Sequence, residues 1–437
     1  MKLAQTLPVS PDKVQSFSKA HEEPAWMTDL RTTALNQFDD LEFPKFERMN
    51  YRNWPLTNTQ EFADTVSKAD LLDKVTIAEE KAAGVIVQVG TTTTKVELDE
   101  DLAAKGVILT DIFTAQQKYS ELLKEYYMQV AVKADSSKLT AFHAALMNNG
   151  AFLYVPKGVV IKEPIQAFYY QDSTQVQDFV HHLLLLADEG SEVTYLENFG
   201  TIGDTENIAN IMAEVVAKDN SYVHFSAVDQ LGPNTTTYLS RQGHLMQDAR
   251  IDWAIGAMSN GNIISDFNSA LRGEGAHAEA NVVAISTGKQ VQGVETRVTN
   301  FGRRTIGNIL QHGVILQKAT LTFNGVGQIV KGARGSDSQQ ENRVLMLSNK
   351  SIGDANPILL IDENDVRAGH AASVGRVDEQ QMYYLMSRGI DKKTAERLVI
   401  RGFLGSVLAE IPAKAARAQL TETIERKLQD GQTTEDD

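Results

Sequence analysis

The chain has 437 residues, no cysteine and a formal net charge of −15. Its length and a hydrophobic content of 42% allow two or three domains with sizeable cores. The negative charge argues against nucleic-acid binding, and the lack of thiols excludes disulfides, a thiol nucleophile, a persulfide acceptor and four-cysteine iron–sulfur ligation.

The N-terminal stretch MKLAQTLPVSPDKV lacks the apolar core of a secretory signal. No run of about 18 apolar residues is present to span a membrane, so a cytoplasmic protein is expected. Residues 1–150 read as a mostly helical domain. Pro24 opens a helix with Trp26, Leu30, Ala34 and Phe38 at four-residue steps. Residues 43–60 are irregular around Pro44, Trp54 and Pro55. Val85–Val89 and Val96–Leu98 flank a threonine run and suit a short hairpin. Tyr119, Leu122, Leu123, Tyr126, Tyr127 and Val130 follow the spacing of an amphipathic helix. A second helix starts at Asp135 or Ser136, with Leu139, Phe142 and Leu146 on one face, and Asn149-Gly150 ends it.

After Gly150 the helical stripes stop. Short runs rich in Val, Ile, Thr and Tyr alternate with small polar clusters: DEGSE at 188–192, KDNSY at 218–222, QDARI at 247–251 and EGAHA at 274–278. Their spacing of roughly 27 to 30 residues lies in the solenoid range. No helix-length stripe separates the strands, which argues against a βαβ sheet and leaves a parallel β-helix or a sandwich. Few Asn-Gly pairs mark hairpins here, so a right-handed parallel β-helix over 151–377 is expected. From 378 to 437 the helical period returns. Asp378 caps a helix that Gly389 closes, and Asp391 caps the next. Ala395, Leu398, Val399, Gly402, Phe403, Val407, Leu408 and Ile411 make one apolar face. Pro412 opens a last helix carrying Leu420, Ile424 and Leu428, and the tail GQTTEDD reads as disordered.

Four segments resemble one family. They are EPAW at 23–26 followed by Arg31, Ala34 and Phe38; FLYVPKGVVIKEPI at 152–165; GARGSDSQQENRVLMLS at 332–348; and DENDVRAGHAASVGRVDEQQMYYLMSRGI at 362–390. Together they resemble the SufB/SufD family of SUF iron–sulfur cluster assembly scaffolds, over essentially the whole chain. The resemblance implies a β-helix between two helical domains and a non-catalytic scaffold that supports iron acquisition and cluster formation. It implies a SufB-type partner met through the β-helices, and the SufC ATPase, in two copies, docked on the C-terminal helices. Leu398, Phe403 and Leu404 are the candidate docking residues. A homodimer is expected when the chain is isolated. One branch of the family carries the cysteines that take sulfur and bind the nascent cluster; the cysteine-free chain points to the other branch.

His370 is the candidate iron or cluster ligand. It sits among Ala368, Gly369, Ala371, Ala372 and Ser373. From the residues alone it reads rather as a strand-end histidine that hydrogen-bonds in a solvated turn. The resemblance implies a transient iron or nascent cluster shared with the partner, because this chain offers no thiolate. In that family a cysteine usually precedes the histidine, and here that position is Ala368. Glu341, Asn342, Arg343, Asp365 and Arg376 belong to the same segments and are candidate interface residues; Arg343 has Asp362 or Glu363 as alternative partners. His181 and His182 are adjacent on a strand and point to opposite faces, one packed and one exposed. His224, His244, His277 and His312 are placed near solenoid turns with structural roles. Gly273-Glu-Gly275 and Gly325-Val-Gly327 open no helix, and no phosphate-binding G-x-x-x-x-G-K-[ST] motif occurs, so any ATP dependence comes from a partner. No cofactor is expected on this chain alone, and a reduced flavin is a possibility only for the full complex. The rival reading is a β-helix enzyme acting on polysaccharide, which needs clustered carboxylates or a calcium site on one face.

Overall fold

A computed structural model describes residues 7, 9–59, 71, 81–410 and 414–433. The first helix has no counterpart in the sequence reading. Ser10 accepts the Lys13 N–H and Pro11 occupies the first turn, which starts α1 (Pro11–Ala20). α2 (Ala25–Gln37) follows Pro24, as expected. It buries Met27, Arg31 and Ala34, one position round from the expected stripe, leaving Trp26 and Leu30 half-buried. The hairpin is borne out as β1 (Gly84–Val89) and β2 (Thr92–Leu98). Next come α3 (Glu100–Ala104), β3 (Ile108–Asp111), α4 (Ile112–Lys118), α5 (Ser120–Tyr126) and α6 (Lys138–Leu146). Three strands therefore lie within the stretch expected to be mostly helical. The helix read over 119–130 ends at Tyr126, because the chain turns at Met128, whose φ is 50°. Ser137 caps α6 in a reciprocal capping box with Thr140. Asn149-Gly150 does not end that helix; it begins a strand. A Cβ on Gly150 would lie 2.2 Å from the His182 carbonyl oxygen, so the close approach requires glycine.

Sixteen strands then wind into the solenoid: β4 (Asn149–Val155), β5 (Ile165–Ser173), β6 (Phe179–Ala187), β7 (Glu192–Gly203), β8 (Asn207–Ala217), β9 (Tyr222–Gln230), β10 (Thr235–Leu245), β11 (Arg250–Ala257), β12 (Ile263–Leu271), β13 (His277–Ser286), β14 (Val291–Asn300), β15 (Ile306–Ile315), β16 (Thr320–Ile329), β17 (Asp337–Met346), β18 (Ile352–Ile361) and β19 (Arg367–Arg376). From β4 on, even strands form one parallel sheet and odd strands the other, in about eight turns. Glu192, Tyr222, Arg250, His277, Ile306, Asp337 and Arg367 stand side by side, so the repeat runs 27 to 31 residues. The β-helix expectation holds.

The recurring polar clusters have a physical cause. Gly190, Asn220, Asp248, Gly275, Arg304 and Gly335 all take positive φ, at 66°, 58°, 51°, 73°, 53° and 75°. Each donates its N–H to a carbonyl of the next turn: Gly190 to Asp219, Asn220 to Gln247, Asp248 to Glu274, and onward to Asp365. The stack needs one left-handed residue per turn, which Gly, Asn and Asp supply at least cost.

Inside the tube, Tyr169, Phe199, Tyr195, Phe225 and Trp253 fill the early turns. Arg241 lies buried among them, pairing with Glu197 at 2.7 Å and Asp229 at 2.6 Å. The later turns are filled by amides: Gln311 donates to Asn342 and accepts from Thr296, and Gln340 donates to the Ile358 carbonyl. Both outer faces are apolar and covered by helices. α2, α4 and α6 pack Met27, Ala115, Phe142 and Leu146 onto Leu184, Met212 and Val216 of the even sheet. On the odd sheet, α8 (Lys392–Glu410) and α9 (Lys414–Thr433) bury Ile400, Leu404, Val407, Leu420, Ile424 and Leu428 against Val228, Ala254, Val283 and Val314. α7 (Glu379–Ser387) precedes them, capped by Asp378 and followed by Gly389 at φ 90°. The buried face of α8 is turned from the expected one, since Leu398 is 41% exposed while Ile400 is fully buried. Ile411 and Pro412 fall outside the described residues. The tail expected to be disordered is helical as far as Thr433, and 434–437 fall outside the described residues.

The two ends of the tube differ. At the start, β2 lies antiparallel to β1 and β3 antiparallel to β4, so each sheet begins on an antiparallel edge strand. At the far end β18 and β19 are the outermost strands of their sheets, and no described element pairs with their free edges.

Candidate functional site

That open end holds the predicted site. Strand residues alternate between faces. His370 stands in register with Gln340, itself beside Ile309, Ala280 and Trp253, all in the lumen-facing row. His370 is thus the last rung of an interior row, in mid-strand and exposed because no further turn covers it. It is not in a turn. It makes no hydrogen bond or ion pair with the described residues. Ala368 is the last rung of the neighbouring interior row, beside Ser338. Position 368 and His370 therefore face the same way, two residues apart. Around them the last turn exposes apolar side chains: Ile361 at 37% and Val374 at 41%. Their register partners one turn back, Ile329 and Val344, are buried.

The other signature residues scatter. Asn342 is buried inside the tube, bonded to Gln311, so it packs the lumen and offers nothing to a partner. Glu341 faces outward, where it accepts from His312 at 2.9 Å and from Arg343 at 2.9 Å. Arg343 thus pairs with Glu341, and not with Asp362 or Glu363. Asp365 lies in the exposed turn before β19, where its carbonyl takes the Gly335 N–H at 2.6 Å. Arg376 ends β19, exposed. A groove of about 670 Å³ on the odd sheet runs toward β19 past Asp252, Glu279 and Glu341. Each of those carboxylates is already engaged, by Arg250, His277 and His312. Among the described residues no group of three His, Cys, Asp or Glu could hold a metal ion.

His312 was placed near a turn, yet it sits in the middle of β15 and fastens α8 to the sheet. Its Nδ1 lies 3.0 Å from the Phe403 carbonyl, and the two rings stack at 4.8 Å. Phe403 is therefore half-buried on its own sheet, and Leu404 is fully buried beneath α8. Leu404 cannot face an ATPase while α8 stays in place. Of the three candidate docking residues only Leu398 is open; on α7, Tyr383 at 76%, Tyr384 at 57% and Met386 at 45% are also exposed.

His181 and His182 do point to opposite faces, but both are fully buried. His181 packs inside the tube on Tyr169 and Phe179. His182 joins a polar chain beneath α6. Asn210 donates to the Leu139 carbonyl, which turns its oxygen to His143 Nδ1 at 3.0 Å and makes that nitrogen the donor. His143 Nε2 then accepts from His182 Nδ1 at 2.9 Å, leaving His182 Nε2 bare and 3.3 Å from Glu214. Glu214 accepts the Met128 N–H at 2.6 Å, and burial pushes its carboxyl up to about 8. Burial holds His182 down to about 3, and holds His143 well below the usual histidine range. At pH 7 Glu214 holds its proton and the two rings are neutral, while His182 Nε2 is buried without a hydrogen bond.

This chain sets a pH profile. Below about 6.5 the unfolded histidines take up protons that the buried rings refuse, so stability falls as the pH drops. Glu214 acts oppositely. Its contribution is full below the ordinary value of 4.5 and is lost as pH rises to about 8. Glu214→Gln copies the protonated acid, keeping one donor and one acceptor. Between pH 6.5 and 8 the parent chain should lose up to about 1.4 kcal/mol per pH unit from this group, while the variant does not. Urea unfolding across that range measures the difference, and parallel declines would exclude Glu214 as the titrating group.

The chain matches the N-terminal region of SufBD proteins over residues 13–167, and the SufBD core domain of SUF system FeS cluster assembly over residues 169–403. It belongs to this SufBD family of iron–sulfur cluster assembly proteins. Within the family it is similar to the iron–sulfur cluster assembly protein SufD of Bacillus subtilis, 45% identical over 98% of this chain and 100% of the relative. Against SufB of the same organism the identity is 26%, over 92% of this chain and 90% of the relative. A SufBD family protein of Staphylococcus haemolyticus is 28% identical over the same shares. The SufD side, expected from the missing cysteines, is the one the identities favour. The family also favours cluster assembly over the polysaccharide reading. Among the described residues no helix is long and apolar enough to cross a membrane.

Proposed function

We propose that this chain is a non-catalytic scaffold subunit that completes its solenoid with a SufB-type partner and holds iron or a nascent cluster between them. The observation that carries this reading is the uncovered last turn, with His370 as the terminal rung of an interior row. A free parallel edge with apolar side chains is a template for strand addition. A partner strand laid on β19 would bring its own side chains next to His370 and Ala368. Imidazole contributes one ligand to iron, and the thiolates come from the partner, because this chain has none. The open face of α7 with Leu398 is the proposed seat of the SufC ATPase. When isolated, the chain pairs with itself through the same edge. Mixing it with a SufB-type subunit and the ATPase and sizing the product by sedimentation tests the reading. One stable complex holding all three chains is expected. Failure to bind the SufB-type subunit would overturn it.

A further inference from the structure

A second site lies away from the open end, in a cleft of about 720 Å³ between α9 and the stacked turns after β11 and β13. At its floor is Lys427, buried at 7% exposure. Its ammonium donates to the Met258 carbonyl at 2.8 Å and the Ser259 carbonyl at 2.5 Å. Among the described residues the third N–H has no acceptor and no carboxylate lies within 4 Å. A buried ammonium without a counter-ion is costly unless an anion joins it. Beside it, Gln290 spends both amide hydrogens on the Ser259 and Gly261 carbonyls at 2.9 and 2.8 Å. Its Oε1 is buried and receives no hydrogen bond. The cleft thus presents one unused cationic donor and one unused acceptor. Two more cations, Arg426 from α9 and Lys289 from a turn, are exposed at the cleft, and among the described residues Glu206 is the one carboxylate that lines it. In a chain of net charge −15 this is a local excess of positive charge.

The size and lining narrow the ligand. A bare phosphate would fill little of the cleft, whose volume suits a small organic molecule. Among the described residues no aromatic side chain lines it, so they offer no stacking platform for a nucleobase or a flavin ring. The walls carry Asn234, Asn260, Asn262, Thr236 and Thr287, which suit hydroxyl groups. We propose that this cleft binds a phosphorylated, hydroxyl-rich metabolite of sugar size, its phosphate on Lys427 and Arg426 and a hydroxyl on Gln290. This site stands independently of the pairing at β19. Burial alone lowers Lys427 to about 7, so a bound anion restores its proton and binding takes up protons near neutral pH.

Calorimetric titration of the full chain with ribose 5-phosphate, inorganic phosphate, AMP and ribose tests this. Ribose 5-phosphate should bind saturably, at least about tenfold tighter than inorganic phosphate, and ribose should not bind. Proton uptake should appear as a dependence of the heat on buffer ionisation at pH 7.5. Lys427→Met should weaken binding at least about thirtyfold, and the exposed Arg426→Gln several-fold with an unchanged Tm. No saturable binding at millimolar ribose 5-phosphate would overturn the site. So would an unchanged Kd in folded Lys427→Met together with Arg426→Gln. Equal affinity for inorganic phosphate, or tighter binding of AMP, would overturn the sugar-phosphate assignment.

Discussion

His370→Ala should leave the fold and the pairing of subunits intact while lowering the rate of cluster assembly at least about tenfold. The side chain is exposed and bonds to none of the described residues, so its removal costs the fold little. Its position at the end of an interior row means that the loss falls where a partner strand would arrive. A ligand can be told from a spacer by substitution. His370→Cys supplies another donor that binds iron and should retain more assembly than His370→Asn, which has a similar size and no comparable affinity. The assay is cluster formation by the reconstituted complex, followed by absorbance. Wild-type rates in His370→Ala would sink the ligand role.

The larger effect is expected at the edge itself. Ile361→Lys combined with Val374→Lys places one charge on each exposed end strand, at positions already open to water. In the free chain both ammonium groups stay solvated, so Tm should move by only a few degrees. In a paired solenoid both would be buried against a partner strand. That costs several kcal/mol, enough to weaken association at least about a hundredfold. Lysine on a strand edge is a known deterrent to such pairing. Sedimentation velocity with the SufB-type subunit, and with the chain alone, reads the change. An unaltered Kd would mean that partners meet elsewhere.

Much of this was legible in the residues. The turn clusters repeat because each turn needs one left-handed residue, and Gly190, Asn220, Asp248 and Gly275 say so directly. Asp378 and Gly389 act locally, so the helix they bound was foreseeable, whereas α6 starts from Ser137, one or two residues past the expected Asp135 or Ser136. What failed was decided at a distance. Tyr119–Val130 has helical spacing, but the chain turns out at Met128, whose N–H is taken by Glu214, 86 residues on. The opposite facing of His181 and His182 follows from alternation, whereas His143, which buries and bonds His182, is 39 residues away. Leu404 was a docking candidate through the resemblance alone, and its burial is decided by the distant sheet that α8 covers. Lys427 carried no signal at all; on a polar helix face a lysine reads as solvated.

The contrast between the tube's two ends also gives each subunit a direction. Repeating strands are prone to endless stacking, since every edge invites another copy. Here β2 and β3 run antiparallel to the first turn, so that end does not repeat the parallel pattern that β18 and β19 carry. A parallel strand added in the register of the coil has its template at one end only, and two chains joined there would leave their antiparallel ends outward.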